Sequence, residues 1–220
     1  MTTSPQPRYC SLVLDVDSTV AGIEGIDWLA ARRGPEVAQQ ISELTLGAME
    51  GRVKLEGVYA LRLERIRPGR DDIDALSRAY VDAIAPGAVD TIGRVRAAGV
   101  HVVLVSGGLR QAILPLARQL GVAPEDLHAV SIEFDRGGAY LQHDAESPLT
   151  RGDGKGYVVA SLHLGPPIIA VGDGATDLAM RDAADSFVAF TGFASRSNVV
   201  TRADASVSSF AELERMLLGE

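Results

Sequence analysis

Three short apolar runs, at residues 12–14, 100–105 and 168–171, each lead straight into a polar, glycine-bearing turn and then into a helix-like stretch. Apolarity that is continuous, with no alternation, belongs to strands covered on both faces. A strand–turn–helix rhythm repeated along a chain predicts an α/β fold built on a doubly wound parallel sheet. Such sheets bind ligands in the crevice at the carboxyl ends of their strands, so the turns after the three runs are where chemistry is expected.

Between residues 21 and 85 the pattern changes. Trp28, Leu29, Leu44, Leu46, Val53, Leu55, Val58, Leu61, Leu63 and Ile66 recur at helical spacing with charges between them, which predicts a helical insertion. Pro68-Gly69 breaks it once, and Pro86-Gly87 marks the return to the core before an amphipathic stretch at 89–98. The expected organisation is an α/β core of residues 1–20 and 86–220 with a helical cap of residues 21–85. Small residues at 20–22 and 85–87 are the expected hinges. A β-hairpin is predicted around Asp135-Arg136-Gly137-Gly138. A chain of 220 residues has room for this and not for two full-sized domains.

A formal net charge of -8 argues against nucleic acid or an anionic membrane as partner, since phosphate backbones would be repelled. Cys10 is the single cysteine, so it has no internal disulfide partner, and its place before an apolar run suggests a buried or half-buried thiol in a reducing, cytoplasmic setting. The first nine residues are polar and contain prolines, unlike a secretory leader, and no apolar stretch reaches membrane-spanning length. A small-molecule substrate and a monomer or homodimer are expected.

The first run ends in Asp15-Val16-Asp17-Ser18-Thr19. Carboxylates two residues apart in extended backbone point the same way and repel unless a cation or a proton lies between them, although Asp, Ser and Thr also serve as helix N-caps. The third run ends in Gly172-Asp173-Gly174-Ala175-Thr176-Asp177. It lacks the third glycine of a dinucleotide fingerprint, and Asp173 and Asp177 could join the first pair around a hard, oxygen-seeking ion. Ser106-Gly107-Gly108 ends the middle run with a small hydroxyl and open amides suited to a phosphate oxygen. Lys155 stands between Gly154 and Gly156 and lacks the Ser or Thr that follows a P-loop lysine. His101, His128, His143 and His163 show no ligand spacing.

Taken in order, DVDST, SGG, the glycine-flanked lysine and GDGATD resemble the four signature motifs of the haloacid-dehalogenase superfamily. Glu24-Gly25-Ile26-Asp27, Ala48-Met49-Glu50-Gly51 and Arg62 are similar to its phosphoserine phosphatase branch. The resemblance implies a magnesium-dependent phosphatase in which Asp15 is the nucleophile and Asp17 the general acid and base. It implies Mg2+ held by Asp15, the Asp17 carbonyl and Asp173, phosphate held by Ser106, Gly107, Lys155 and Thr176, and Asp177 in support. Glu24 and Arg62 would read the two charged ends of a phosphorylated amino acid, with Met49 walling the pocket. Transfer of the phosphoryl group to an alcohol such as homoserine, or hydrolysis of another small phosphate, uses the same machinery. A non-catalytic binding module is disfavoured, because Asp15, Asp17, Lys155 and Asp173 are all intact.

Overall fold

The computed structural model describes residues 7–49 and 55–219, without the side chains of 45–49, 55 and 56. The expectation for Ala48-Met49-Glu50-Gly51, including Met49 as a pocket wall, therefore lies outside the described residues, as does that for Val53. The strands are β1 (Ser11–Leu14), β2 (His101–Leu109), β3 (Leu127–Val130), β4 (Ile132–Phe134), β5 (Tyr140–His143), β6 (Ile168–Gly172), β7 (Ser186–Phe190) and β8 (Ala205–Val207). The helices are α1 (Gly25–Arg32), α2 (Pro35–Met49), α3 (Leu55–Ile66), α4 (Arg70–Asp82), α5 (Ala88–Ala97), α6 (Arg110–Gln119), α7 (Gly154–Ser161), α8 (Ser197–Val200) and α9 (Phe210–Leu218).

Six strands form one parallel sheet in the order β3-β2-β1-β6-β7-β8, and β4 with β5 forms the separate antiparallel hairpin. This is the doubly wound arrangement: the chain builds outward from β1 in one direction, then returns to its other side at β6. The middles of the central strands are apolar and buried, as strands covered by helices on both faces require. Leu12, Val13 and Leu14 are 0% exposed, as are Ile169, Ala170 and Val171. Each predicted run is a strand, in register as Leu12–Val102 on one side and Leu12–Ile169 on the other.

The inserted segment holds α1 to α4, with Pro68 and Gly69 separating α3 from α4 as the sequence suggests. Its two connections lie side by side: the Ala85 N–H donates to the Val20 carbonyl at 2.8 Å, and the Gly22 N–H to the Ala83 carbonyl at 2.9 Å. Helix α4 lies against α6 of the core layer. One expectation fails. Cys10 is exposed, because pleating turns neighbouring side chains to opposite sides and it is Ser11 that points inward, donating to the Gly165 carbonyl at 2.8 Å.

Phe187 on β7 is 0% exposed inside the single core cluster. Phe187→Ala should cost about 3–5 kcal/mol through lost transfer energy and a residual cavity. For a chain this long that is a fall in Tm on the order of 10 °C, readable by thermal unfolding monitored by circular dichroism.

Candidate active site

β1 and β6 are neighbours where the winding reverses, and both stop at acidic turns. Asp15 follows Leu14 directly and is 3% exposed, its N–H donating to the Val171 carbonyl at 3.0 Å. Asp173 follows Gly172 and is 4% exposed. Oxygens of Asp15, Asp173 and Asp177 all lie within 4.8 Å of one another. Lys155, 6% exposed, enters this group from the first turn of α7 and donates to Asp15 Oδ1 and, at 2.5 Å, to Asp177 Oδ1.

The glycines beside the lysine are explained by packing. A Cβ on Gly154 would overlap the Pro148 carbonyl, and one on Gly156 would overlap the carbonyl of Ala179. Only a helix bare on both sides can sit deep enough to bring Lys155 to the carboxylates. Asp177 fixes the loop as well as the lysine, since its Oδ2 accepts from the N–H groups of Asp173 at 3.1 Å and Gly174 at 2.8 Å. With both oxygens so used, Asp177 supports the site, and Asp15 and Asp173 are the carboxylates left to face a ligand.

Three buried carboxylates outnumber the Lys155 ammonium and the Arg196 guanidinium beside them, an excess of negative charge that a buried site relieves by taking up a cation or a proton. Among the described residues Asp173 Oδ2 has no hydrogen-bond partner of good geometry, although the guanidinium of Arg196 presses against it. Buried carboxylate oxygens of Asp15 and Asp173 gathered this closely are the donor set a hard divalent cation takes, with Arg196 already bringing one positive charge to Asp173. Burial first, then the Asp177 charge, pushes the Asp15 carboxyl well above the ordinary range, with Lys155 opposing. Burial works against the Lys155 ammonium, but Asp15 and Asp177 outweigh it and raise its pKa, so the lysine stays charged.

Asp17 is half-buried at the rim, where its Oδ1 accepts from the Gly25 N–H at 3.1 Å and the Tyr80 hydroxyl at 2.6 Å. Burial, then the nearby Glu24 carboxylate, raises its pKa to about 7. A cavity of about 160 Å³ opens above these groups, and Asp15, Asp17, Lys155 and Asp173 line it together with Glu24, Arg62, Gly107 and Thr176. Ser106 is fully buried beside it, its Oγ accepting from the Gly108 N–H at 2.9 Å. Glu24 Oε1 accepts from the Ser18 hydroxyl at 2.7 Å. Arg62 is half-buried, 5.7 Å from the centre of the Tyr59 ring, and its charge opposes the burial that raises the Asp27 carboxyl. Arg65, one turn on, is exposed and turned to Gln40.

Three contributors were not legible in the sequence. Arg196, just before α8, reaches Glu24 at 3.6 Å as well as Asp173. Tyr59 and Tyr80 are buried aromatics on amphipathic helices, where the pattern reads as plain packing. Thr19 is legible as part of DVDST but carries no sign there of a role of its own; its hydroxyl stands 3.5 Å from both Asp15 and Asp173.

A doubly wound sheet with a carboxylate cluster, a buried lysine and a glycine-rich turn at its switch point is the arrangement expected of a hydrolase that acts on small anionic substrates. The profile of the haloacid dehalogenase-like hydrolases matches residues 12–181. The phosphoserine phosphatase of Bos taurus is 34% identical, with 93% of each chain covered. The chloroplastic phosphoserine phosphatase of Arabidopsis thaliana is also 34% identical, over 92% of this chain and 70% of its own. A phosphoserine phosphohydrolase-like protein of Francisella tularensis superposes with a TM-score of 0.83 at 22% identity, covering 92% of this chain and 97% of that one. This chain belongs to the haloacid dehalogenase-like hydrolase family. Among the described residues no helix is long and apolar enough to cross a membrane.

Two outcomes follow from the charge imbalance. In protein stripped with a chelator, a divalent cation at about 100 times its Kd should add about 2.7 kcal/mol of stability, and Asp173→Asn should abolish most of the resulting thermal shift. Asp17 titrates near 7 when folded and near about 3.9 when unfolded. Between these values the folded state binds the extra proton, so stability falls as pH rises from about 4 through 7. Asp17→Asn escapes that loss: its urea midpoint in chelator should exceed the wild type at pH 8, and the difference should vanish near pH 4.

Proposed function

We propose that this chain is a magnesium-dependent phosphoserine phosphatase that cleaves O-phospho-L-serine to serine and phosphate through an aspartyl phosphate. The observation that carries the reading is that Glu24 and Arg62, of opposite charge, line the same cavity as Asp15 and Asp17. A carboxylate for the substrate ammonium and a guanidinium forking onto its carboxylate suit a zwitterionic leaving group. The 34% identity to phosphoserine phosphatases over most of the chain supports the same substrate.

Asp15 is the nucleophile, its carboxylate oxygen attacking phosphorus as the seryl oxygen departs. Asp17 gives that oxygen a proton, then takes one from the water that hydrolyses the acyl phosphate; a pKa of about 7 lets one group serve both steps. Lys155, Ser106, the Gly107 amide and Thr176 surround the phosphate oxygens, where charge must be stabilised. Asp15, the Asp17 carbonyl and Asp173 would hold Mg2+, which when bound would offset the negative charge of phosphate and carboxylates. Residues 21–85 act as a cap that excludes bulk water until serine leaves.

Phosphate release from L-phosphoserine is measured beside phosphothreonine, a sugar phosphate and an aryl phosphate, with magnesium or chelator. L-Phosphoserine should be the best substrate and should need magnesium. Asp15→Asn should lose at least about 10³-fold, the scale of removing a covalent route. Arg62→Ala should raise KM for phosphoserine without a matching effect on the aryl ester. Preference for the sugar or aryl phosphate would sink the substrate assignment.

A further inference from the structure

The general acid at this site needs a device that decides which of its two oxygens carries the proton. Asp17 Oδ1 accepts two hydrogen bonds, from the Tyr80 hydroxyl at 2.6 Å and the Gly25 N–H at 3.1 Å. A carboxylate oxygen has two in-plane lone pairs, so both on Oδ1 are engaged and the proton is left to Oδ2. Among the described residues Oδ2 has no donor, and the Asp17 side chain lines the cavity.

Tyr80 is built for this contact. It lies on α4, is 0% exposed, and its ring belongs to the core cluster. Its hydroxyl ends in a niche that only glycines permit. A Cβ on Gly25 would overlap that oxygen, and a Cβ on Gly108 would stand 3.1 Å from it. Gly25 therefore both makes room for the tyrosine and donates beside it. Because α4 lies against α6, the tyrosine is anchored to the core, whatever the rest of the inserted segment does.

We propose that Tyr80 is a positioning residue, which with the Gly25 amide locks the Asp17 carboxyl so that Oδ2–H points at the leaving-group oxygen. The inference rests on the phosphatase reading above. In the step concerned, a bond forms between the Asp15 carboxylate oxygen and phosphorus while the bond from phosphorus to the alkyl oxygen breaks. The electron pair of the broken bond goes to the alkyl oxygen, which takes the proton from Asp17 Oδ2 and leaves Asp17 as a carboxylate. An alkoxide needs that proton to depart, whereas p-nitrophenolate is stable without it. A loss of acid positioning is thus felt by one ester and hardly by the other.

The test is the ratio of kcat/KM for L-phosphoserine to that for p-nitrophenyl phosphate, in magnesium, for wild type, Tyr80→Phe and Gly25→Ala. kcat/KM reports binding and leaving-group departure only, so hydrolysis of the acyl phosphate, common to both esters, drops out. Misplacing a general acid forfeits part of its usual 10²–10⁴-fold contribution, so the ratio should fall at least about tenfold in Tyr80→Phe. Gly25→Ala, which displaces the hydroxyl without removing it, should move the ratio in the same direction. An unchanged ratio, with both esters slowed equally or neither slowed, would show that Tyr80 only packs. If the wild type turns over another alkyl phosphate but not phosphoserine, the substrate reading fails, and the same ratio on that ester still decides the role of Tyr80.

Discussion

The ion group of Lys155 with Asp15 and Asp177 is the constraint around which the rest is arranged. Burying an ammonium among carboxylates costs several kcal/mol per ion before any attraction is counted. The cost is offset only if the geometry is close and every remaining lone pair is used. Asp177 meets that demand by accepting from Lys155 and from two amides of its own loop. Asp15 and Asp173 do so less completely, since Lys155 and Arg196 meet one oxygen of each and only the Thr19 hydroxyl, at 3.5 Å, stands near the other. Stability and activity here draw on the same few atoms and pull them in different directions.

The sheet makes this arrangement reproducible. β1 and β6 are paired in register, so Asp15 and Asp173, the first residues beyond each, emerge side by side without any long-range adjustment. β2, on the other flank of β1, delivers Ser106 and Gly107 at the same edge. The lysine comes from outside the sheet, on α7, and it is the element that needed two flanking glycines to reach its place. Rigid strands set the carboxylates, and close helix packing sets the cation.

What could be read from the sequence follows the same division. Strands buried on both faces leave unbroken apolar runs, so the three central strands and the polar segments that follow their apolar runs, two of them acidic, were visible directly. The outer strands β3, β7 and β8 are less distinctive: β3 mixes His128 with apolar neighbours, and β8 is three residues long. Arg62 carries no local sign that it turns inward while Arg65 turns out; the distinction comes from the buried Tyr59 one turn back on the same helix and from Asp27 on α1. Arg196 and Tyr80 were silent for a related reason. Each acts through a partner more than twenty residues away, at a spacing no periodic pattern encodes.

The paired connections of the inserted segment have one more consequence. Val20 and Ala85 are hydrogen-bonded to each other, as are Gly22 and Ala83, so the chain leaves the core and re-enters it through one narrow doorway. Length can be added beyond that doorway without altering the register of the sheet. Gly25 and Tyr80 nevertheless lie beyond it and meet Asp17 on the near side, so the insertion is fastened to the core at the site as well as at its two ends.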